Sequence, residues 1–266
     1  MHTLVCIKQI IDPEIPADLF RLDPITKRQV RGGLSLVISA YDQNALEVAL
    51  QLRGQVGGKI TALCLGESAA MGAVKSAMGM GADEGVLVSD SVLLDLDVFG
   101  VVHVLAKAIR KLGPPDLVLT GCVSGDIGHK VVGPLLAEEL GWPCATFVSR
   151  IEIQGEKAVL RRIVEDGYEL METPLPVVAS ILSDDSNVPR YSKLRDIMTA
   201  AKKQVPTWKA ADLDLDGGKV GADATWFELR DMMIPMGESH CELVGGDTPQ
   251  EQAERLALRL RELKVI

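Results

Sequence analysis

Short apolar runs alternate with helical patterns along the first half of the chain, and this alternation constrains the fold more than any other feature. Four runs of strand length are almost entirely apolar, as is typical of strands covered on both faces: 3–7, 60–65, 85–89 and 116–120. Between them lie four segments with apolar residues three and four positions apart, at 42–53, 68–80, 97–112 and 130–140. The alternation predicts an α/β fold with a doubly wound, mostly parallel sheet. Asp42 and Ser68 are predicted to cap the first two helices.

Beyond residue 141 the apolar residues alternate with polar ones, and turn signals at 154–155 and 166–167 predict a hairpin-rich extension of the sheet. Its core-facing residues are predicted to be Ile151, Ile153, Val159 and Ile163. Residues 183–192 are polar and interrupted by proline, which predicts an exposed loop. We therefore expect a nucleotide-binding α/β domain at 1–205, followed by a C-terminal arm and helix at 206–266.

The composition excludes several classes of protein. A formal net charge of -9 argues against a surface for nucleic acid or for anionic membranes, because such surfaces are basic. No apolar stretch approaches the roughly 18 residues of a membrane-spanning helix, so membrane insertion is not expected. The five cysteines form no C-x-x-C pair and are predicted to be reduced thiols, which favours a cytoplasmic protein. The four histidines have no metal-ligand spacing, so neither a metal site nor a catalytic residue is predicted.

A glycine-rich stretch, GCVSGDIGHKVVG at 121–133, joins the fourth apolar run to the next helical segment. Ligands of doubly wound sheets bind outside the carboxyl ends of the strands, where this stretch is expected to lie. Its backbone amides and the positive end of the following helix suit a phosphate, and Lys130 adds a cation. The same rim is expected to include residues 6–8, 65–68 and 39–45. The alternative is that these glycines only form a tight strand-to-helix turn.

Several longer segments together resemble the β subunit of the electron transfer flavoproteins. They include LVCIKQIID, ISAYDQNALEVALQLR, KSAMGMGADEGVLV, LAEELGWPCATFVSRIE, EDGYELMETPLPVVAS and NVPRYSKLRDIMTAAKK. The resemblance covers nearly the whole chain in order. It implies an electron carrier that works as a heterodimer with a larger α subunit and shares a redox FAD with it, rather than an enzyme that transforms a substrate on its own.

In this family the β subunit itself holds AMP or, in electron-bifurcating members, a second FAD. The resemblance therefore implies a cofactor site made of Cys6, Ser39, Ala40, Tyr41, Asp42, Leu65, Gly121, Cys122, Val123, Ser124, Gly125, Asp126, Ile127, Gly128, His129, Lys130, Val131 and Val132. It also implies that NVPRYSKL docks on a redox partner such as an acyl-CoA-type dehydrogenase, through Pro189, Arg190, Tyr191 and an anchoring Leu194. The C-terminal arm and helix are expected to wrap the α subunit.

The chain departs from the family's pattern at the glycine-rich stretch, where basic, amide and acidic side chains are usual. Their places are taken by Cys122, Val123, Gly128 and Val131. Fewer cations favour a bridging diphosphate over a terminal phosphate, so we expect FAD rather than AMP here. In the docking segment Val188 replaces a usual acid and Arg195 a usual proline, which favours a different dehydrogenase.

Two other functions are compatible with the residues. One is an adenine-nucleotide-binding regulatory module without redox function, which needs neither an α subunit nor a flavin. The other is a hydrolase of adenine nucleotides, which the absence of a placed base or metal ligand in the sequence disfavours.

Overall fold

The protein was analysed as a computed structural model that describes residues 1–221, 224–227, 229–234 and 241–266. Within these residues the main sheet has nine strands in the order β11-β5-β4-β1-β6-β10-β7-β8-β9. The strands are β1 (His2–Ile7), β2 (Gln9–Ile11), β3 (Leu36–Ile38), β4 (Lys59–Leu65), β5 (Glu84–Val88), β6 (Leu117–Gly121), β7 (Cys144–Gln154), β8 (Lys157–Val164), β9 (Gly167–Pro174), β10 (Val177–Ile181) and β11 (Thr207–Trp208). The helices are α1 (Ala40–Val56), α2 (Met71–Met80), α3 (Val98–Leu112), α4 (Val132–Leu140), α5 (Leu194–Lys202) and α6 (Pro249–Glu262).

The sheet is mostly parallel, as the sequence predicts. The strands from β11 to β7 pair in parallel, and β8 and β9 add an antiparallel hairpin at one edge. Strands β2 and β3 form a separate antiparallel ribbon between β1 and α1. Because β1 lies between β4 and β6, the chain changes its direction of travel across the sheet at the β1–β6 pair.

Both faces of the sheet are covered. Successive residues of β1 belong to different apolar clusters, Val5 to one that includes α1 and α2, and Leu4 to one that includes α3 and α4. This period of two is the ordinary geometry of a strand. It explains why the central strands are apolar throughout, and it confirms the doubly wound fold.

Most predicted element ends lie close to the observed ones, but α1 continues beyond its predicted end to Val56, α4 begins later than predicted, at Val132, and two predicted helix caps are wrong. Gly113 ends α3 with a φ of 88°, as its sequence context predicts. Asp42 is not the N-cap of α1; Ser39 occupies that position, and Asp42 lies in the first turn. Ser68 does not cap α2 either, because it begins a separate 3-10 turn before the helix. Both predictions were wrong because the first turn of each segment begins before the first residue of its apolar pattern, at Ser39 for α1 and at Glu67 before α2.

The hairpin prediction is confirmed in its turns but not in one of its faces. Strands β7, β8 and β9 are joined at 155–156 and 165–166. Ile151 is buried, whereas Val159 and Ile163 are only partly buried. The core-facing residues of β8 are Ala158 and Leu160, both fully buried. A shift of one position moves a residue to the other face of a strand, and two similar apolar faces leave that choice open in the sequence.

The described chain separates into two compact units, 1–230 and 231–266. The first includes β11, which pairs with β5 at the end of the sheet opposite the hairpin. The second contains α6, whose N-terminus is capped because Thr248 Oγ1 accepts a hydrogen bond from Glu251 N at 3.2 Å. None of the helices described is both long and apolar enough to span a bilayer.

Candidate functional site

The carboxyl ends of β1, β4 and β6 meet at one edge of the sheet. Ile7 pairs with Cys64 at the ends of β1 and β4, and β6 continues to Gly121 on the other side of β1. The edge therefore lies at the change of direction between β1 and β6, the position where ligands of such sheets bind. We call this edge, with residues 39–42 and 121–133, the sheet rim.

Asp42 joins the two strands at the rim. Its Oδ2 accepts a hydrogen bond from Lys8 N at 2.8 Å, and its Oδ1 accepts one from Gly121 N at 3.0 Å. A Cβ on Gly121 would lie 2.5 Å from Asp42 Oδ1 and 2.8 Å from Tyr41 Cβ, so only glycine fits there. Burial raises the pKa of Asp42 to about 7, although both backbone hydrogen bonds and the charge of Lys8 lower it.

The loop that follows β6 lies close to the ribbon and to the start of α1. Gly125 N donates to Ser39 Oγ at 3.3 Å, and a Cβ on Gly125 would lie 2.9 Å from Ile10 Cδ1. Lys8 Nζ forms an ion pair with Asp126 Oδ2 at 2.6 Å. Burial alone would raise the pKa of Asp126, but the charge and hydrogen bond of Lys8 outweigh it and lower the pKa. The ammonium group of Lys8, the residue that follows β1, is therefore already paired with a carboxylate.

The backbone at the start of α4 is suited to an anion. Lys130 has a φ of 62°, which is unusual for a residue other than glycine, and Val131 follows in the right-handed region. This succession turns neighbouring amides toward one concave side, as in anion-binding nests. No described side chain caps α4, so the amides of its first turn remain available to a ligand. Lys130 is exposed and forms no ion pair with a residue that the structure describes.

Three thiols lie at or beside the rim. Cys6, Cys64 and Cys122 are buried, and burial raises the pKa of each, to about 12 for Cys64 and about 11 for Cys122. Cys122 N donates to Ile181 O at 2.9 Å, which continues the β6–β10 ladder. Cys122 therefore extends the strand as a small apolar residue, and it is not a nucleophile at neutral pH.

The structure brings most predicted site residues together. Ser39, Tyr41, Asp42, Gly121, Gly125 and Asp126 have the contacts described above, and Gly128 N donates to Ser124 Oγ at 3.3 Å. Leu65 ends β4 at the same edge. Ile127 is 59% exposed, and the ring of His129 lies 6.2 Å from that of Phe227, which stacks on Phe99. For Ala40, Val123 and Val132 only their position in these segments supports the prediction.

The predicted docking segment lies outside the rim, between β10 and α5. Tyr191 is 99% exposed and Leu194, the first residue of α5, is 73% exposed. Val188, Ile197 and Met198 are also exposed apolar residues of this surface. Arg190 differs from its neighbours because its guanidinium is turned inward onto Glu47 of α1.

Sequence reasoning missed several polar residues of these two regions. Lys8 was placed at the rim, but its ion pair with Asp126 was not predicted. Glu47 was not predicted as a site residue, and the fully buried Asn187 was assigned to an exposed loop. Glu47 could have been recognised in the sequence, because it is a charged residue among the apolar positions of the α1 pattern. Asn187 has no such signal, because its partners Asn44 and Ser149 lie far away in the sequence.

Comparison with known proteins agrees with this geometry. Residues 30–213 match the electron transfer flavoprotein domain. The chain is 36% identical over 269 residues to the electron transfer flavoprotein subunit beta of Thermoanaerobacterium thermosaccharolyticum, covering 100% of both chains. It is 31% identical, again over 100% of both chains, to the caffeyl-CoA reductase-Etf complex subunit CarD of Acetobacterium woodii. It is 34% identical to the protein FixA of Azorhizobium caulinodans over 81% of this chain and 78% of that one. The chain therefore belongs to the electron transfer flavoprotein family, as a β subunit.

Proposed function

We propose that this β subunit carries electrons as a heterodimer with an α subunit, that it shares a redox FAD with that subunit, and that it binds a further nucleotide at its own sheet rim. The observation that carries the nucleotide site is the uncapped start of α4 beside the glycine-rich loop. Free amides, the positive end of the helix and Lys130 together form a site for a phosphate. The reduced, buried thiols support a cytoplasmic location.

The residues of the rim fit a diphosphate better than a terminal phosphate. Lys8 is paired with Asp126, and Cys122 occupies the usual basic position, so Lys130 supplies the unpaired positive charge among the described loop residues. Beyond the loop, Phe99, Trp226 and Phe227 are exposed aromatic residues, and the ring of Phe227 lies 6.2 Å from that of His129, so they offer faces on which a flat ring system can stack. Both features favour a second FAD over AMP.

A bound FAD would supply the redox chemistry, since it accepts and releases electrons. The chain's own residues bind and orient the nucleotide. Asp42 fixes the distance between the ends of β1 and β6, and Ser39 holds Gly125 against the ribbon. The loop therefore keeps one shape before the ligand arrives, which lowers the entropy cost of binding.

The cofactor content tests this proposal. The chain is co-expressed with its α subunit, the purified complex is denatured, and the released FAD and AMP are quantified. We expect two FAD molecules per heterodimer, and Lys130→Gln should lower the affinity of one of them by about tenfold because it removes a charge-assisted contact. Lys157→Gln, which changes a lysine of the hairpin, is the control.

The other cofactor contents also have definite meanings. One FAD and one AMP would make the rim nucleotide structural and would contradict our choice of FAD. A complex without flavin, or a chain that never associates with the α subunit, would contradict the redox proposal and favour the regulatory nucleotide-binding module.

We propose further that the exposed apolar surface around Leu194 docks on an acyl-CoA-type dehydrogenase. Leu194 begins α5 beside the exposed Ile197 and Met198, and a contiguous exposed apolar patch of this kind marks a protein-binding surface. The name of the relative CarD, a subunit of a caffeyl-CoA reductase-Etf complex, supports a partner that acts on CoA thioesters.

Replacing Leu194 tests the docking surface. We expect Leu194→Ala to raise the KM for the dehydrogenase by about tenfold, because a central anchor contributes on the order of 1–2 kcal/mol, and to leave the flavin content unchanged. Leu170→Ala removes a similarly exposed leucine from β9 and should change neither quantity. Equal loss of flavin and of electron exchange in Leu194→Ala would contradict a docking role.

A further inference from the structure

The docking segment is fastened to α1 by three polar side chains. Asn44, Glu47 and Gln51 are spaced three and four residues apart, so they lie along one side of the helix. Each reaches a different residue of the chain between β10 and α5. Their partners are Asn187, Arg190 and Ser186.

The amide contacts hold the base of the segment. Asn44 Nδ2 donates to Asn187 O at 3.0 Å and to Asn187 Oδ1 at 3.1 Å. Asn187 Nδ2 in turn donates to Ser149 O and Leu182 O, so this fully buried side chain joins the segment to the sheet. Gln51 Nε2 donates to Ser186 O at 2.8 Å.

The charged contact holds the middle of the segment. Arg190 Nε donates to Glu47 Oε2 and Arg190 Nη2 donates to Glu47 Oε1, both at 2.7 Å, and Arg190 N also donates to Oε2 at 3.3 Å. The two side-chain bonds form the fork-to-fork arrangement that fixes orientation as well as distance. The backbone bond means that Glu47 holds the chain itself and not only the guanidinium.

Burial makes this pair specific. Glu47 is 5% exposed, and a buried carboxylate is costly unless it is paired. Among the residues that the structure describes, Arg190 is the cation that pairs with it. The pairing therefore favours one position of Arg190, which lies four residues before Leu194.

We infer that Glu47 and Arg190 are positioning residues that hold the docking segment in the orientation that the dehydrogenase recognises. Arg190 acts through Glu47, although its side chain remains half-exposed. The same helix carries Asp42 at the sheet rim, so the docking surface and the rim have one rigid support. This inference rests on the proposed docking function.

Glu47→Gln is the decisive variant because Glu47 is buried and cannot contact a partner. It keeps the shape of the side chain and leaves the sequence of the docking segment unchanged. In the heterodimer we expect amide hydrogen exchange across 186–193 to become about tenfold faster, because the segment opens locally. The KM for the acyl-CoA dehydrogenase should rise by about fivefold while kcat and flavin content stay constant.

Arg190→Lys and Arg195→Gln complete the experiment. Arg190→Lys keeps the charge but loses the fork, and it should match Glu47→Gln in both measurements. Arg195→Gln removes a charge from a side chain that is 91% exposed, and it should leave hydrogen exchange unchanged. The double variant Glu47→Gln/Arg190→Lys should be no worse than either single variant, because all three remove one interaction.

The outcomes separate this inference from the docking proposal. Unchanged exchange and KM in Glu47→Gln, with a raised KM in Leu194→Ala, would overturn the positioning role and leave docking intact. Unchanged electron exchange in Leu194→Ala would overturn docking and, with it, the role of Glu47 in recognition. If Arg195→Gln raised exchange and KM as much as Glu47→Gln does, charge rather than positioning would explain both, and the inference would be wrong.

Discussion

Asp42 connects parts of the chain that lie far apart in the sequence. Its carboxylate accepts hydrogen bonds from residues 34 and 79 positions away, at the ends of two neighbouring strands. An aspartate at the start of a helix pattern predicts a cap, and a cap is a local interaction. In the structure the same side chain forms long-range hydrogen bonds instead, and no pattern of neighbouring residues predicts them.

The raised pKa of Asp42 predicts a pH dependence of stability. The folded state holds this proton up to a pH of about 7, whereas the unfolded state loses it near 3.8. The folded state thus binds more protons between these values, so the free energy of unfolding should fall as pH rises through this window and become level above it. We expect the difference between the wild type and Asp42→Asn to change by roughly 1 kcal/mol per pH unit between pH 5 and 7.

Urea unfolding of both proteins at several pH values measures this difference. Asp126→Asn is an informative control because the pKa of Asp126 is lowered, so its contribution should be lost as pH falls rather than as it rises. A difference between the wild type and Asp42→Asn that does not vary with pH would show that Asp42 is already ionised in the folded state at pH 5.

The site residues divide into those that local sequence can reveal and those that it cannot. Glycines at 121, 125 and 128 follow an apolar strand pattern, and that context alone predicted a ligand loop. The role of Asn187 depends on Asn44, 143 residues away, and on a backbone carbonyl of β7. Such partners are set by the packing of α1 on the sheet, so their prediction requires the fold first.

At the scale of elements, periodicity predicted most of the fold. The central strands were recognised because strands covered on both faces are apolar throughout. Helix α3 was recognised to within a residue at each end, since Gly113 stops it and Asp97 caps it through Gly100 N at 2.9 Å. Strand β8 was recognised but its faces were exchanged, because Val159 and Leu160 are equally apolar neighbours.

Helix α1 has a role that its own pattern does not express. Its apolar residues pack on the sheet, while Asp42 in the first turn contacts the sheet rim and Glu47 and Gln51 in later turns contact the segment before α5. The helix thus sets the position of the proposed docking segment relative to the sheet rim. Helix propensity and amphipathicity account for the packing of α1 on the sheet, but not for its polar contacts.

At the scale of the whole molecule, the two compact units differ in how they are stabilised. The first, residues 1–230, contains both apolar clusters of the sheet. In the second, α6 has no buried residue, and Leu256, Leu258 and Leu263 are 46%, 61% and 55% exposed. A 14-residue helix with no buried residue of its own is marginal in water, so we propose that the α subunit covers it.

Truncation after Arg230 tests this proposal. We expect residues 1–230 to keep a cooperative unfolding transition, with a midpoint within a few degrees of the full chain, because both clusters remain. The truncated chain should no longer co-purify with the α subunit. Retained association would show that the α subunit binds elsewhere, and loss of cooperative unfolding would show that the second unit stabilises the first.

The buried thiols of the sheet rim have a consequence for the durability of the protein. Peroxide oxidises a thiolate far faster than a thiol, and the raised pKa values of Cys6, Cys64 and Cys122 keep all three protonated at neutral pH. If the rim holds the proposed FAD, its reduced form would produce oxidants beside these sulfur atoms when it meets oxygen. We therefore expect burial to protect these thiols from such oxidants, so that residues with no part in electron transfer would prolong the lifetime of the proposed cofactor site in air.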